Sequence, residues 1–256
     1  MGRIISIANQ KGGVGKTTTA VNLSAALAVA EKRVLLIDLD PQGNATSGMG
    51  VTLEEDQQTI YDLMIGSADL DAVKVTTQVP FLELVPASIK LVGAEVELVN
   101  VPERESVLRR ALEGRLTDYD YVFIDSPPSL GLLTLNGLTL ANSVMVPIQC
   151  EYYALEGLSK LLNTVRLVQR QLNPSLTIEG AVLTMFDNRL NLSRQVAEEI
   201  RTYFAGKVFD IPIQRNVRLS EAPSYGMPVI LYDATSRGAE NYLALAEEML
   251  AYDSAP

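Results

Sequence analysis

Residues 9–18, Asn-Gln-Lys-Gly-Gly-Val-Gly-Lys-Thr-Thr, gather glycines, lysines and hydroxyls in a spacing that suits phosphate chemistry. Successive backbone N–H groups of such a loop, with the start of a following helix, form a concavity for phosphate oxygens, and glycines let the backbone approach closely. The candidate contacts are Lys11, Gly12, Gly13, Val14, Gly15, Lys16, Thr17 and Thr18. Lys16 can reach the β and γ phosphates, and the Thr17 hydroxyl can hold Mg²⁺. The usual pattern is Gly-x-x-x-x-Gly-Lys-Ser/Thr; here Gln10 stands at its first glycine and a second lysine, Lys11, opens the loop. Taken alone, the run could be a tight turn with no ligand. The apolar Ile4–Ala8 before it and the helical pattern of Thr18–Ala30 after it favour phosphate.

Carboxylates complete that chemistry. Asp38 closes an apolar run that starts at Arg33 and can organise Mg²⁺ and nearby hydroxyls. Asp40 is placed to orient, or accept a proton from, a water attacking a γ phosphate. Pro41 and Gly43 mark a shaped turn that could move with nucleotide state. A second apolar run, Tyr119–Asp125, ends in Asp125, which can hold Mg²⁺ through its water shell, and Ser126-Pro127-Pro128 begins a constrained connection. Either aspartate alone would read as an acidic turn or a cap. Beside a phosphate loop, Thr17, Asp38, Asp40 and Asp125 read as a metal and hydrolysis set.

These groups require a frame that brings them to one edge. Near-continuous apolar runs at Ile4–Ala8, Arg33–Asp38, Phe81–Val85, Tyr119–Asp125, Ser143–Gln149 and Thr177–Phe186 alternate with helical patterns, including 59–65, 89–100, 103–116, 132–141, 152–171, 191–204 and 236–252. That alternation predicts an α/β protein with a predominantly parallel twisted sheet flanked by helices, its active groups at the carboxyl ends of the strands. A short strand is expected at Val208–Ile211. Met185 and Asn188, at the tip of the 177–186 strand, could approach adenine or a partner or simply be solvated; Pro212 is a candidate wall of an adenine pocket.

With 256 residues, 47% of them hydrophobic, the chain can bury a sizeable core, and one domain over 1–256 is the economical expectation. No apolar run approaches the roughly 18–20 residues that span a bilayer, so a cytoplasmic protein is expected. The absence of histidine and the single Cys150 remove the commonest metal and general-base residues and any internal disulfide. A formal charge of −10 opposes a uniformly basic surface. Yet 187–218 carries six basic residues against four acidic ones, so a local basic face is possible.

Four stretches carry a family likeness. Lys11–Thr17 resembles the deviant Walker A loop of the ParA/MinD group of P-loop ATPases, Asp38–Thr46 its second signature, Asp125–Thr134 its Walker B and switch segment, and Asn216–Gly226 a third family region. The match is closest to ParA/Soj-type chromosome or plasmid partitioning ATPases. The resemblance implies a P-loop NTPase fold and an ATP- and Mg²⁺-dependent homodimer in which Lys11 reaches the partner's nucleotide. It implies ATP hydrolysis to ADP through Asp40, non-specific double-stranded DNA as ligand of the dimer, and a ParB-like centromere-binding protein that speeds hydrolysis on the nucleoid. Arg218 is the leading DNA contact and Arg189 the second; from composition alone both could equally be solubilising or ion-paired charges. Other readings are a MinD-like membrane regulator, opposed by an acidic final stretch, and a small-molecule kinase or synthetase.

Overall fold

The computed structural model describes residues 2–151 and 154–253. Its strands are β1 (Arg3–Ile7), β2 (Val34–Asp38), β3 (Val75–Thr76), β4 (Leu82–Val85), β5 (Tyr121–Asp125), β6 (Ser143–Gln149) and β7 (Thr177–Thr184). They form one seven-stranded sheet in the order β3-β4-β2-β5-β1-β6-β7. Every pairing is parallel except that of the two-residue edge strand β3 with β4. The helices are α1 (Lys16–Val29), α2 (Asn44–Gly48), α3 (Ile60–Ile65), α4 (Leu70–Val73), α5 (Leu91–Glu97) and α6 (Val107–Ala111). They continue with α7 (Leu132–Leu140), α8 (Ala154–Gln171), α9 (Asn191–Tyr203), α10 (Val217–Glu221), α11 (Val229–Tyr232) and α12 (Arg237–Asp253).

Strands buried on both faces explain the near-continuous apolar runs. Ile5, Ile7, Leu36 and Phe123 face a core built with α1 and α12, while Ile4, Leu35, Ile37 and Ile124 face a second core built with α3 and α5 to α9. Helix α1 is wedged between sheet and α12, with Leu23 and Leu27 fully buried. Each such leucine contributes about 1.5–3 kcal/mol of burial free energy, which holds the first turn of α1 against the end of β1.

Some expected elements take another form. The strand expected at Val208–Ile211 is present only as an isolated bridge of Val208 with Ala181; a second, Phe186 with Gln214, lies beyond it. The amides of Asp210 and Ile211 turn instead to the Glu248 carboxylate of α12, at 2.8 and 3.1 Å, and Pro212 has no N–H to offer the ladder. The helical stretch expected at 103–116 breaks up: Glu103 is left-handed at φ 52°, Arg104–Ser106 form a 3-10 turn, and only Val107–Ala111 is α-helical. Residues 98–100 of the 89–100 stretch are likewise 3-10. Tyr152 and Tyr153, the start of the expected 152–171 helix, lie outside the described residues.

Candidate functional site

Strand register puts three chain ends in one row. Ile7 of β1 pairs with Asp125 of β5, and Asp125 pairs with Asp38 of β2. The loop leaving β1 therefore rises beside two carboxylates. Asn9 fastens its entry, donating to the Pro147 carbonyl at 2.8 Å and accepting from the Lys11 N–H at 3.1 Å. The Thr184 hydroxyl at the end of β7 fastens its crown, donating to the Val14 carbonyl at 2.8 Å. Gly13 and Gly15 are left-handed, at φ 72° and 88°, a conformation that glycine adopts without strain. No side chain caps the first turn of α1 at Gly15, which leaves its N–H groups for an anion.

The two lysines of the loop are placed differently. Lys16 is buried, with Nζ 3.4 Å from the Lys11 carbonyl oxygen it donates to. Burial lowers its pKa, against the pull of Asp125 and Asp40. Lys11 is half-exposed and its ammonium lies 4.0 Å from Glu151, which also pairs with Arg215. Gly12 is exposed, lies outside the left-handed region, and a Cβ there would meet no atom of this chain within 4 Å.

Asp38 is fully buried and satisfied: it accepts from the Asp40 N–H at 3.1 Å, the Thr46 N–H at 2.8 Å and the Thr46 hydroxyl at 2.7 Å. Burial nonetheless pushes its pKa up to about 6. Asp125 is also fully buried, but neither of its oxygens has a regular hydrogen-bond partner. Burial and then the neighbouring Asp38 hold its pKa well above the usual carboxylate range, only partly offset by Thr17 and Lys16. A buried, orphaned carboxylate beside a threonine hydroxyl fits a hard, hydrated cation such as Mg²⁺. Among the described residues there is no cluster of three side chains that could cage a metal alone, so phosphate and water would complete the coordination. Asp40 is nearly buried and engages one oxygen, Oδ1, with the Gln42 N–H at 3.0 Å.

Two cavities meet the loop. One of 280 Å³ runs between Thr18, Thr184 and Met185 on one side and Gln214, Arg215 and Asn216 on the other. Met185 is at its edge in a left-handed conformation, φ 49°; Asn188 and Pro212 do not line it. The other, of 350 Å³, runs from Lys16 and Thr17 past Asn44 to Pro223 and Met227. Its far wall is fixed where α2 meets the turn after Tyr225: a Cβ on Gly226 would lie 2.6 Å from the Gly50 Cα. Gln78 spans the same contact, donating to the Gly226 carbonyl at 2.5 Å. A larger hollow of 680 Å³ lies at the opposite end of the sheet, where Lys74 pairs with Asp71 and Glu83, and Arg115 with Asp71.

The arginines expected at a DNA face are exposed and paired. Arg189 forms a fork to Asp187, at 2.9 and 2.7 Å, which holds that carboxyl down at about 2. Arg218 bridges Glu221 at 2.7 Å and Asp233 at 3.2 Å. Sequence reasoning missed Asn9, Thr46, Thr184 and the 214–216 wall. Asn9 and Thr46 stand inside quoted motifs and were legible as polar groups; Thr184 and residues 214–216 are brought in only by the tertiary fold.

A phosphate loop at the head of a mostly parallel sheet, flanked by two strand-end aspartates, defines a P-loop nucleotide-binding protein. The chain belongs to the ParA/Soj family of partitioning ATPases, the deviant Walker A group. It is 61% identical over 252 residues to the sporulation initiation inhibitor protein Soj of Bacillus subtilis, covering 98% of this chain and 99% of that one. It is 56% identical over 254 residues to the chromosome partitioning protein ParA of Myxococcus xanthus, covering 99% and 90%. A family profile described as an AAA domain matches residues 2–178. Among solved structures, a cobyrinic acid a,c-diamide synthase from Mycobacterium smegmatis with bound ATP analog and magnesium superposes with a TM-score of 0.89 at 38% identity, covering 100% of this chain and 96% of that one. Among the described residues no helix is long and apolar enough to cross a membrane.

Proposed function

We propose that this chain is an ATP-dependent dimerising switch, folded as one domain, that binds double-stranded DNA without sequence preference and positions chromosomal or plasmid DNA. Hydrolysis of ATP to ADP and phosphate would be stimulated by a ParB-like partner and would release the DNA. The observation that carries the dimer is the contrast within one loop: Lys16 is buried in its own cradle, whereas Lys11 stands half-exposed beside a Gly12 that this chain's own packing does not require. A second subunit at that face would give both residues a role.

Within the site, Lys16 and the N–H groups of the loop neutralise the β and γ phosphates. Thr17 and, through water, Asp125 would hold Mg²⁺, with Asp38 and Asp40 beside them; the ion supplies charge neutralisation at the phosphate oxygens when bound. Asp40, with one carboxylate oxygen fixed by Gln42, offers the other to orient the attacking water. Met185 and the 214–216 wall would take adenine. Arg189 and Arg218 would exchange their carboxylate partners for DNA phosphates, which carry no base information.

Binding to unrelated DNA duplexes across a salt series, with no nucleotide, ADP–Mg²⁺ or ATP–Mg²⁺ and with subunit mass followed throughout, tests this reading. The expected result is binding by the ATP dimer only, alike for all duplexes and weakened by salt. An ATP dimer that never binds DNA at low salt overturns the partitioning role. The synthase likeness supports a second reading, ATP-dependent group transfer to a small molecule; the higher identity to partitioning proteins over the whole chain weighs against it.

A further inference from the structure

The hollow of 680 Å³ at the end of the sheet away from the phosphate loop exceeds both cavities at the loop. It falls within the range of small-molecule sites, about 300–1,000 Å³. Buried Leu70, Val79 and Leu82 back it. Over them runs a chain of polar contacts: Arg115 with Asp71 at 3.5 Å, Asp71 with Lys74 at 3.1 Å, Lys74 with Glu83 at 3.7 Å, and the Tyr119 hydroxyl donating to Glu83 at 2.5 Å. Burial and that last bond push the Tyr119 pKa up to about 12, so the phenol stays a donor. These groups are committed to one another.

Two charges and one ring in the lining are not. Arg33 and Asp118 are exposed, and among the described residues no side chain pairs with the Arg33 guanidinium or the Asp118 carboxylate. The ring is Phe81, 54% exposed and left-handed at φ 65°. Its turn is held by backbone alone: the Phe81 carbonyl accepts the Val34 N–H at 2.8 Å, and the Leu82 N–H donates to the Val79 carbonyl at 3.2 Å. Glycine would adopt that turn without strain, whereas a bulky residue is costly there, so the backbone does not call for phenylalanine. What the ring adds is a flat apolar face at the mouth of the hollow. Register sets the three groups side by side. Val34 pairs with Leu82 on one side and Tyr121 on the other, so Arg33, one residue earlier, lies between Phe81 and the 118–120 turn.

We propose that this hollow is a binding site for a small aromatic zwitterion, an aromatic amino acid or a dipeptide with both ends free. The ligand's ring would stack on Phe81, its carboxylate would take the Arg33 guanidinium, and its ammonium would take Asp118. The charges of the lining balance, Arg33, Lys74 and Arg115 against Asp71, Glu83 and Asp118. A polyanion or a bare cation therefore meets no matching field, while a ligand carrying both signs does. The site is separate from that of the nucleotide: β2 and β5 start beside this hollow and end at Asp38 and Asp125. Its occupancy does not rest on the ATPase reading above.

The chain contains no tryptophan, so a tryptophan probe can be followed by its own fluorescence anisotropy, excited where tyrosine does not absorb. The probes are L-tryptophan and glycyl-tryptophan, titrated with the full chain free of nucleotide. At least one is expected to bind with a Kd of about a millimolar or tighter, and the tighter of the two sets the length of the ligand. N-acetyl-tryptophanamide, which lacks both charges, should bind at least roughly tenfold more weakly, as should tryptamine and indole-3-propionate, which each keep one. Phe81→Gly should lower the affinity of the better probe roughly tenfold while keeping the wild-type circular dichroism, since glycine suits that turn. Arg33→Gln and Asp118→Asn, both at exposed positions, should each do the same. Failure of both probes to bind at about 10 mM overturns the proposal. So does equal binding by the capped or singly charged analogues, or full affinity in Phe81→Gly or in the two charge variants.

Discussion

The phosphate end of the molecule and its arginine-bearing surface handle charge in opposite ways. At the carboxyl ends of β1, β2 and β5, Lys16, Asp38 and Asp125 are buried together, and both oxygens of Asp125 are left without a hydrogen bond. On the surface, Arg189 and Arg218 are exposed and already hold carboxylates. Buried, under-satisfied charge is costly until a ligand supplies the missing partners, so such a site favours its ligand strongly. Exposed paired charge gains little from a new partner, because an old one is given up. The difference teaches that nucleotide should bind as a fixed part of the fold, and DNA as a reversible exchange of ion pairs.

The contrast is broken most severely at its buried side. Lys16→Ala should leave the carboxylates without their cation and weaken ATP binding by about a hundredfold or more, read by fluorescent-nucleotide titration. Wild-type affinity would mean that the loop amides suffice. Asp40→Ala should keep ATP binding and ATP-dependent mass doubling while turnover falls by roughly a hundredfold or more; normal turnover rules out its role. A Cβ at position 12 would meet no atom of its own chain within 4 Å, so Gly12→Val should leave the monomer folded while the ATP dimer no longer forms. Persistence of that dimer in sedimentation would put the interface elsewhere.

Smaller effects sharpen the exposed side. Arg189→Ala and Arg218→Ala should each lower DNA affinity a few-fold and reduce the slope of log affinity against log salt by about 0.9 for every DNA phosphate left without its arginine. Unchanged binding by the double variant, with its dimer intact, removes both from the DNA face. The smallest effect concerns pH. Asp38 holds its proton in the folded, nucleotide-free protein up to about pH 6, against an ordinary 3.8. The folded state therefore binds more protons than the unfolded chain between those values, and its stability falls as pH rises through that window. Urea midpoints from pH 4 to 6 should show this slope, and Asp38→Asn should reduce it, leaving the part that Asp125, also raised by burial, contributes with the same sign.

Much of the site was legible because it is local in sequence. The phosphate loop needs its glycines and lysines in one run, and a buried parallel strand announces itself as an apolar run, so Asp38 and Asp125 could be placed at strand ends from sequence. Their neighbourhood could not: the register that pairs Asp38 with Asp125 depends on β5 inserting between β2 and β1, which no local pattern encodes. The strand expected at 208–211 failed for a similar reason. Its apolar content is real, but Glu248, remote in sequence, captures the amides a ladder would need. Arg189 and Arg218 showed their charge in the sequence and hid their partners.

The contact of Gly50 with Gly226 has a consequence for descent. A side chain at either position would run into the other's backbone, so neither stretch can accept such a change unless the other gives way. Two lengths of chain far apart in the gene are thereby yoked, one following the first aspartates and the other carrying Arg218. Lineages that place a side chain at one of these glycines should be found to have changed the stretch that carries the other.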